Sequence, residues 1–575
     1  MAMNRVMYIE NQIKNDIPSC QVTAVLFMFI IAQLCVVISP EISFGADYYV
    51  DSLNGDDGNR GISPNEAWRS VYKVNTTTLS PGDNIYFRRG GLWRDLLKAG
   101  YSGMPAAHIT YSAYGNGDMP VISASRILAG WEFYLSNIWR ISSEHTVQVF
   151  VDGDRCRRQG SLVALQRNRD WYQNDDHLYL YSDANPDDGY LIESSNKFYA
   201  VNVTGSHVNI SGLEVKMASG DGMAITNGAD DVQIRNVKSS LNYWTGIKIS
   251  TGGTTSEFCI IDNCETVDNG GSGIALANTV LCTISNNRVT RNCQLDTGEE
   301  QHQWDACIKM TGAGSRSNIL EHNICSNARY GAGIWLDFCG PENIVRYNQC
   351  FANQNNGIYN EITSHTQIYY NLSYNNEGAS TAAGIWISGR DGEAPYGGDA
   401  DSNYVANNVC YGNEGFGILL HNDDGVPGNT EHNVIRNNIS VSTLNGPNLR
   451  VGGAAENSPN TIEYNCFGPE SRNFIEWGWG AYMNSYGAFE GAYGGSTHSV
   501  ESAPHLVDAV SGDFHIHPGS PVVDAGGMHS IEIETDLGGT PVPQGDAIDV
   551  GAYEFIAPDL PPSPPRNVKV EVPDP

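Results

Sequence analysis

The sequence predicts an all-β protein built as a three-faced parallel β-helix solenoid, and three observations predict it. Two short phrases recur through the middle of the chain. One ends in asparagine: Ile234-Arg235-Asn236, Ile261-Asp262-Asn263, Asn286-Asn287, Glu321-His322-Asn323, Arg346-Tyr347-Asn348, Tyr370-Asn371, Asn407-Asn408, Asn437-Asn438 and Tyr464-Asn465. The other sets a small residue before an apolar one: Gly222-Met223, Gly246-Ile247, Gly273-Ile274, Cys307-Ile308, Gly333-Ile334, Gly357-Ile358, Gly384-Ile385 and Gly417-Ile418. Successive apolar positions of this second phrase lie 24, 27, 34, 26, 24, 27 and 33 residues apart. That period is too short for propeller blades, and the regular leucines of leucine-rich repeats are missing. Composition agrees: 62 glycines, abundant Asn and Tyr and only 17% charged residues suit short strands and tight turns. Each coil then adds one strand to each of three sheets, and stacked asparagines pair their amides from coil to coil, satisfying turn groups that cannot reach water.

The segments follow in order. Residues 1–45 are expected to be an export signal. Arg5 and Lys14 precede an apolar run at 22–38, and Ser43-Phe44-Gly45 carries small residues where a signal peptidase cuts. The long upstream stretch with Glu10 and Asp16 leaves an uncleaved N-terminal anchor as the alternative, so the expected location is secreted or cell-surface. Residues 46–126, with strands around Tyr49-Val50, Ile85-Phe87 and Ile109-Tyr111 between Gly/Asp/Pro turns, form an N-terminal cap and the first coils. Residues 127–198 break the rhythm with Trp131, Trp139, Trp171 and a hairpin turn at Asp152-Gly153, and are expected to be an inserted β subdomain. The repeats occupy 199–470. Residues 471–557, with His515, His517, Asp524, Asp546 and Asp549, are read as a segment that covers the last coil, because an open solenoid end exposes strand edges. Residues 558–575 are a proline-rich tail ending in what looks like the first strand of a fibronectin-type module.

The formal net charge of −32 disfavours nucleic acid and anionic membranes as partners. Of 13 cysteines, Cys20 and Cys35 lie in the leader. The remaining 11 follow neither a disulfide framework nor a zinc spacing, so they are expected to be small buried core residues. No cofactor is implied. Calcium is the one ion considered, at Asp51, Asp56, Asp57 and Asp83, although acidic turn residues more often cap turns.

Side chains alternate along a strand. With Ile334/Leu336 and their equivalents placed inside, one outward column reads Lys248, Ala275, Lys309, Trp335, Tyr359, Trp386, Leu419. The next reads Ser250, Ala277, Thr311, Asp337, Glu361, Ser388, His421. Asn360 occupies an inward position where its equivalents are apolar, a departure from the pattern. Three aromatics thus stand beside two carboxylates on adjacent coils, one strand spacing of ~4.8 Å apart. Retaining glycosidases hold their carboxyls roughly 5–5.5 Å apart, and a like-charged pair so close splits into one ionised and one protonated group. The aromatic column is expected to offer faces to sugar rings. The two longest repeats carry polar loops at 293–306 and 388–401 that flank this site, the second supplying Arg390.

The opening YYVDSLNGDD, with the later PGD-x-I-x-F and AYG-x-G, resembles secreted right-handed parallel β-helix proteins of the pectate-lyase-like class, across essentially the whole mature chain. The phrase Trp335-Leu336-Asp337, followed a coil later by Glu361-Ile362-Thr363-Ser364-His365, resembles retaining β-helix β-xylosidases and related glycoside hydrolases. That resemblance implies Asp337 as nucleophile, Glu361 as acid/base and His365 as a supporting group. Lys309, Trp335, Tyr359, Trp386, Arg390 and His421 complete the candidate substrate-binding set, for a polysaccharide or oligosaccharide met by a monomer. Two other readings stay open. One is a calcium-dependent polysaccharide lyase or epimerase using Lys309 as base; the other is a non-catalytic carbohydrate-binding or surface solenoid.

Overall fold

The computed structural model describes residues 45–249, 253–295, 304–378, 382–390, 398–422, 430–453 and 455–556. The leader, the proline-rich tail and most of the two flanking loops lie outside the described residues, so the expectations placed on them are not addressed by the structure. No helix among the described residues is long and apolar enough to cross a membrane.

Three long sheets run the length of the molecule. Sheet one has 13 strands, from Asp47–Val50 to Thr461–Glu463. Sheet two has 11, from Leu92–Trp93 to Ile439–Val441, and sheet three has 13, from Leu97–Ala99 to Tyr482–Met483. A typical coil passes through Ile319–Glu321 in sheet one, Ile324–Ser326 in sheet two and Ala332–Asp337 in sheet three, then climbs to Ile344–Arg346. The solenoid strands pair in parallel, and the apolar columns converge on a single core containing Ile247, Ile274, Ile308, Ile334, Ile358, Ile385 and Ile418, all fully buried. The 11 described cysteines are free and buried, most of them in this same core.

The corner between sheets one and two is a single left-handed residue: Asn236, Asn263, Asn286, His322, Tyr347, Tyr370, Asn407, Asn437 and Tyr464 have φ between 51° and 57°. Such a conformation is strained for most side chains, and asparagine tolerates it best. The next residue inward carries the ladder. Asn287, Asn323, Asn348, Asn371, Asn408, Asn438 and Asn465 are buried, and each amide from Asn287 to Asn438 donates to the next at 2.9–3.0 Å. Asn236 and Asn263 sit one position earlier, on the exposed corner, and pair only with each other, so the recurring phrase joins two columns rather than one. A second ladder, through Asn242, Asn269 and Asn292 and then Asn353, Asn376 and Asn413, lines the corner before sheet three.

The insertion between Val121–Ser123 and Val201–Val203 folds as a four-stranded and a five-stranded sheet around Trp131, Trp171, Leu178 and Leu180. Asp152 and Gly153, both at positive φ, form the tight turn between Val149–Val151 and Asp154–Arg155. Beyond the last coil, helix Tyr486–Tyr493 packs Phe489 against Trp477 and Phe467 and closes the open end. The remaining segment does more than cover that end. It runs back along the flank, where Tyr347 donates to the Thr535 carbonyl and Asn407 to those of Asp549 and Gly551. This explains the tyrosines at the corner column: they pack beneath Phe514, Val522 and Val550 instead of facing water. Asp549 accepts from the backbone of Asp524 and Phe555, a structural role within this buttress.

Candidate active site

The site lies on the outer face of sheet three, where Ala306–Thr311, Ala332–Asp337, Ile358–Glu361, Ala383–Gly389 and Phe416–Asn422 are consecutive neighbours. Their register pairs Lys309 with Trp335, Trp335 with Tyr359, Tyr359 with Trp386 and Trp386 with Leu419. It likewise pairs Thr311 with Asp337, Asp337 with Glu361, Glu361 with Ser388 and Ser388 with His421. Both outward columns are therefore those read from the sequence. Asn360 does not disturb them. It stays inside, fully buried, and its amide donates to the Thr363 carbonyl at 2.7 Å, bracing the corner that follows the strand.

Asp337 and Glu361 occupy opposed environments. The Lys309 ammonium lies 2.9 Å from Asp337 Oδ2, donates to the Trp304 carbonyl at 3.0 Å and sits 3.4 Å from the centre of the Trp335 ring. Asp337 is thus one half of an ion pair, and it remains partly exposed. Glu361 is 4% exposed, and its carboxyl is held above the usual range, first by burial and then by the neighbouring Asp337 charge. The Tyr359 hydroxyl, the Arg390 guanidinium at 3.7 Å and Lys309 act in the other direction without cancelling the rise. Burial and the Asp337 charge one strand away thus both favour the protonated form of Glu361.

The aromatic column differs from the expectation placed on it. Trp335 and Tyr359 stack with ring centres 5.1 Å apart, Tyr359 and Trp386 with centres 4.6 Å apart, and Trp304 covers Trp335 from the other side. Strand spacing brings in-register rings to stacking distance, so their faces are used on one another. Trp335 and Tyr359 are buried, and Trp386 alone of the three is partly exposed. The column is a rigid wall holding Lys309 and Glu361, not a row of open platforms.

His365 is not part of this group. Ile362 turns the corner at φ 48°, so His365, itself at φ 56°, belongs to the exposed column leading back to sheet one. Its ring forms no hydrogen bond or ion pair with a described residue. His421 is on the same face as Glu361 but two strands further on, packed beside Trp479 at 5.9 Å between ring centres. Residues not singled out from the sequence extend this end. Arg450 continues the aromatic column in register with Leu419, lies against Phe416 and Trp479, and pairs with the buried Glu476 at 3.4 Å. The signal was the same two-residue alternation, hidden because the coil enters through Pro447-Asn448 instead of a glycine. A cleft of about 1270 Å³ opens there, lined by Phe416, Arg450, Phe474, Trp479, Tyr482 and His505. Among its lining residues there is no carboxylate pair like that of Asp337 and Glu361. The acidic residues read as turn caps or calcium ligands accept hydrogen bonds from the protein: Asp51 from Leu53, Asn54 and Arg88, Asp57 from Arg69 and Ser70, and Asp83 from Ala46 and Ser80. Asp56 likewise accepts from the Gly58 backbone.

Comparison with known proteins places this geometry in context. A sequence model of the family described as "Right handed beta helix region" matches residues 221–395. Among solved structures, "The complex structure of XylC with xylose" superposes with a TM-score of 0.64, at 15% identity, over 88% of this chain and 99% of that one. A structure described as "Glycoside hydrolase" gives 0.50 at 12% identity, over 68% of this chain and 96% of its own. These likenesses show the fold: a right-handed parallel β-helix. Among curated proteins, a lacto-N-biosidase of Bifidobacterium longum subsp. longum is 38% identical over 113 residues, 18% of this chain. The match spans 7% of that relative's length.

Proposed function

We propose that this protein is an exported carbohydrate-active enzyme, a glycoside hydrolase that cleaves a polysaccharide or oligosaccharide with retention of anomeric configuration. The observation that carries the reading is the direct pairing of Asp337 with Glu361 on neighbouring strands, one in an ion pair with Lys309 and the other buried with its carboxyl shifted upward. In the first step protonated Glu361 donates its proton to the glycosidic oxygen, that C–O bond breaks, and Asp337 forms an ester with the anomeric carbon. In the second, Glu361 as carboxylate takes a proton from water, the water oxygen bonds to the anomeric carbon, and Asp337 leaves as carboxylate. The strand spacing of ~4.8 Å suits direct attack better than the roughly 6.5–9.5 Å that an intervening water needs. His421, Trp479 and Arg450 supply an outer sugar subsite, Trp479 being the exposed ring of this group.

The alternative lyase chemistry with Lys309 as base is disfavoured by the positions of its neighbours. The Lys309 ammonium donates to the Asp337 carboxylate and the Trp304 carbonyl and lies on the Trp335 face, and a nitrogen held as a cation has no lone pair with which to take a proton from substrate. The test is a panel of aryl glycosides and polysaccharides followed by NMR of the first-formed sugar. Retention is expected; an inverted anomer, or an unsaturated product, would overturn the proposal.

A further inference from the structure

Far from the carboxylate pair, the corner column leading into sheet one brings together His108, His207 and Asp231. They precede the strands Ile109–Tyr114, Val208–Ser211 and Val232–Arg235, which are neighbours with Ile109, Val208 and Val232 in register. His108 Nε2 and His207 Nδ1 each lie 2.9 Å from the same oxygen, Asp231 Oδ2. The two rings stand perpendicular with centres 5.7 Å apart, and the three ligand atoms all fall within 4.8 Å of one another. We propose that these three side chains bind a transition-metal cation of the zinc type, which staples three coils together across the inserted subdomain.

The donor set selects the ion. Two imidazole nitrogens and one carboxylate suit Zn²⁺, Co²⁺ or Ni²⁺, whereas calcium and magnesium take shells of oxygen. Bonds of ~2.0–2.1 Å to a tetrahedral ion put ligand atoms roughly 3.3 Å apart, so the two 2.9 Å contacts to Asp231 open by a few tenths of an ångström while the two ring nitrogens, within 4.8 Å of each other, settle to the same separation. All three side chains are partly exposed, which leaves an entry path and a place for water to complete the shell. The outer partners are in position too. Gln233 donates to Asp231 Oδ1 at 3.2 Å, and the backbones of His207 and Asp231 are tied to Asp230 and Glu257 of the next coils.

The site is structural, not catalytic. In sheet three the strand that leads to Asp231, Met223–Ile225, lies four strands from Ala332–Asp337, roughly 19 Å at the usual strand spacing. Its position explains its use. His108 belongs to the coil before the inserted subdomain and His207 to a coil after it, so the ion adds a tie across a long loop to the strand pairing and core packing already there.

The test uses the full mature chain without a histidine tag, stripped with EDTA and titrated with ZnCl₂ by calorimetry, and separately with CoCl₂ by visible absorption. Saturation at one ion per chain is expected, with a cobalt band of tetrahedral intensity and an upward shift of Tm on zinc addition. His207→Ala and Asp231→Asn are each expected to lose at least tenfold in affinity and all of the zinc-dependent Tm shift. His108→Gln keeps a hydrogen-bonding side chain and serves where the others fail to fold. Binding equal in wild type and these variants, or cobalt that stays octahedral in hydrate form, would show that the three residues are only a hydrogen-bonded cluster and overturn the proposal.

Discussion

At the scale of single residues, the question is why two carboxylates one strand apart behave differently. Glu361 is the buried one, flanked by the Asp337 charge, and both effects oppose its ionisation. Its raised carboxyl fixes the sign of two predictions. In catalysis, kcat/KM falls as pH rises through the pKa of Glu361, since the acid form is lost. Arg390 opposes the rise, so Arg390→Met moves that alkaline limb to higher pH, read from the pH–rate profile. In stability, the folded-state value lies above the unfolded one, so the cost of ionising Glu361 is absent below the unfolded pKa and fully present above the folded one. Glu361→Gln therefore raises Tm at neutral pH and leaves it nearly unchanged at pH 4, while activity falls by about 10²–10⁴-fold.

At the scale of elements, the coil-to-coil ladder holds the strands in the register on which the site depends. Asn371 is fully buried; it donates to Asn408 Oδ1 and to the Val345 carbonyl, both at 2.9 Å, and accepts from Asn348. Asn371→Ala removes the acceptor of the buried Asn348 backbone N–H, at about 1–3 kcal/mol, while Asn408 Oδ1 keeps the Asn371 backbone donor. A fall of that order in urea-unfolding stability is expected, and a smaller one for the exposed Asn263→Ala, which loses a solvent-exposed amide bond and the left-handed preference of asparagine. The same regularity explains what could be read from the sequence. Fold class and the facing of Lys309, Trp335, Asp337 and Glu361 follow from period and alternation, which repeat often enough to correct each other. His365 was misplaced because a one-residue corner at Ile362 changes the sheet to which later residues belong, and nothing in the letters EITSH marks a left-handed residue. The aromatic faces were misread because alternation tells which way a ring points, not whether a neighbour already covers it.

At the scale of the whole molecule, the solenoid is closed by Tyr486–Tyr493 and braced along one flank by the segment that follows. Glu554 in that brace is buried, and burial chiefly, with Asp549 and Asp536 beside it, lifts its carboxyl to about 7. Its contribution is thus fully present below the unfolded value and lost as pH rises through about 7. Limited proteolysis of the 498–556 region is expected to quicken as pH rises from the ordinary carboxylate value of 4.5 to about 7 and to level off above it, and Glu554→Gln to flatten that dependence. The rigid frame matters to chemistry because it sets one strand spacing between Asp337 and Glu361 and allows neither to drift. The most direct test is mass spectrometry of the protein treated with an activated 2-deoxy-2-fluoro glycoside of the sugar it hydrolyses. A covalent glycosyl adduct on the peptide carrying Asp337, absent in Asp337→Asn, is predicted; an adduct on another residue, or wild-type turnover by Asp337→Asn, would contradict the assignment.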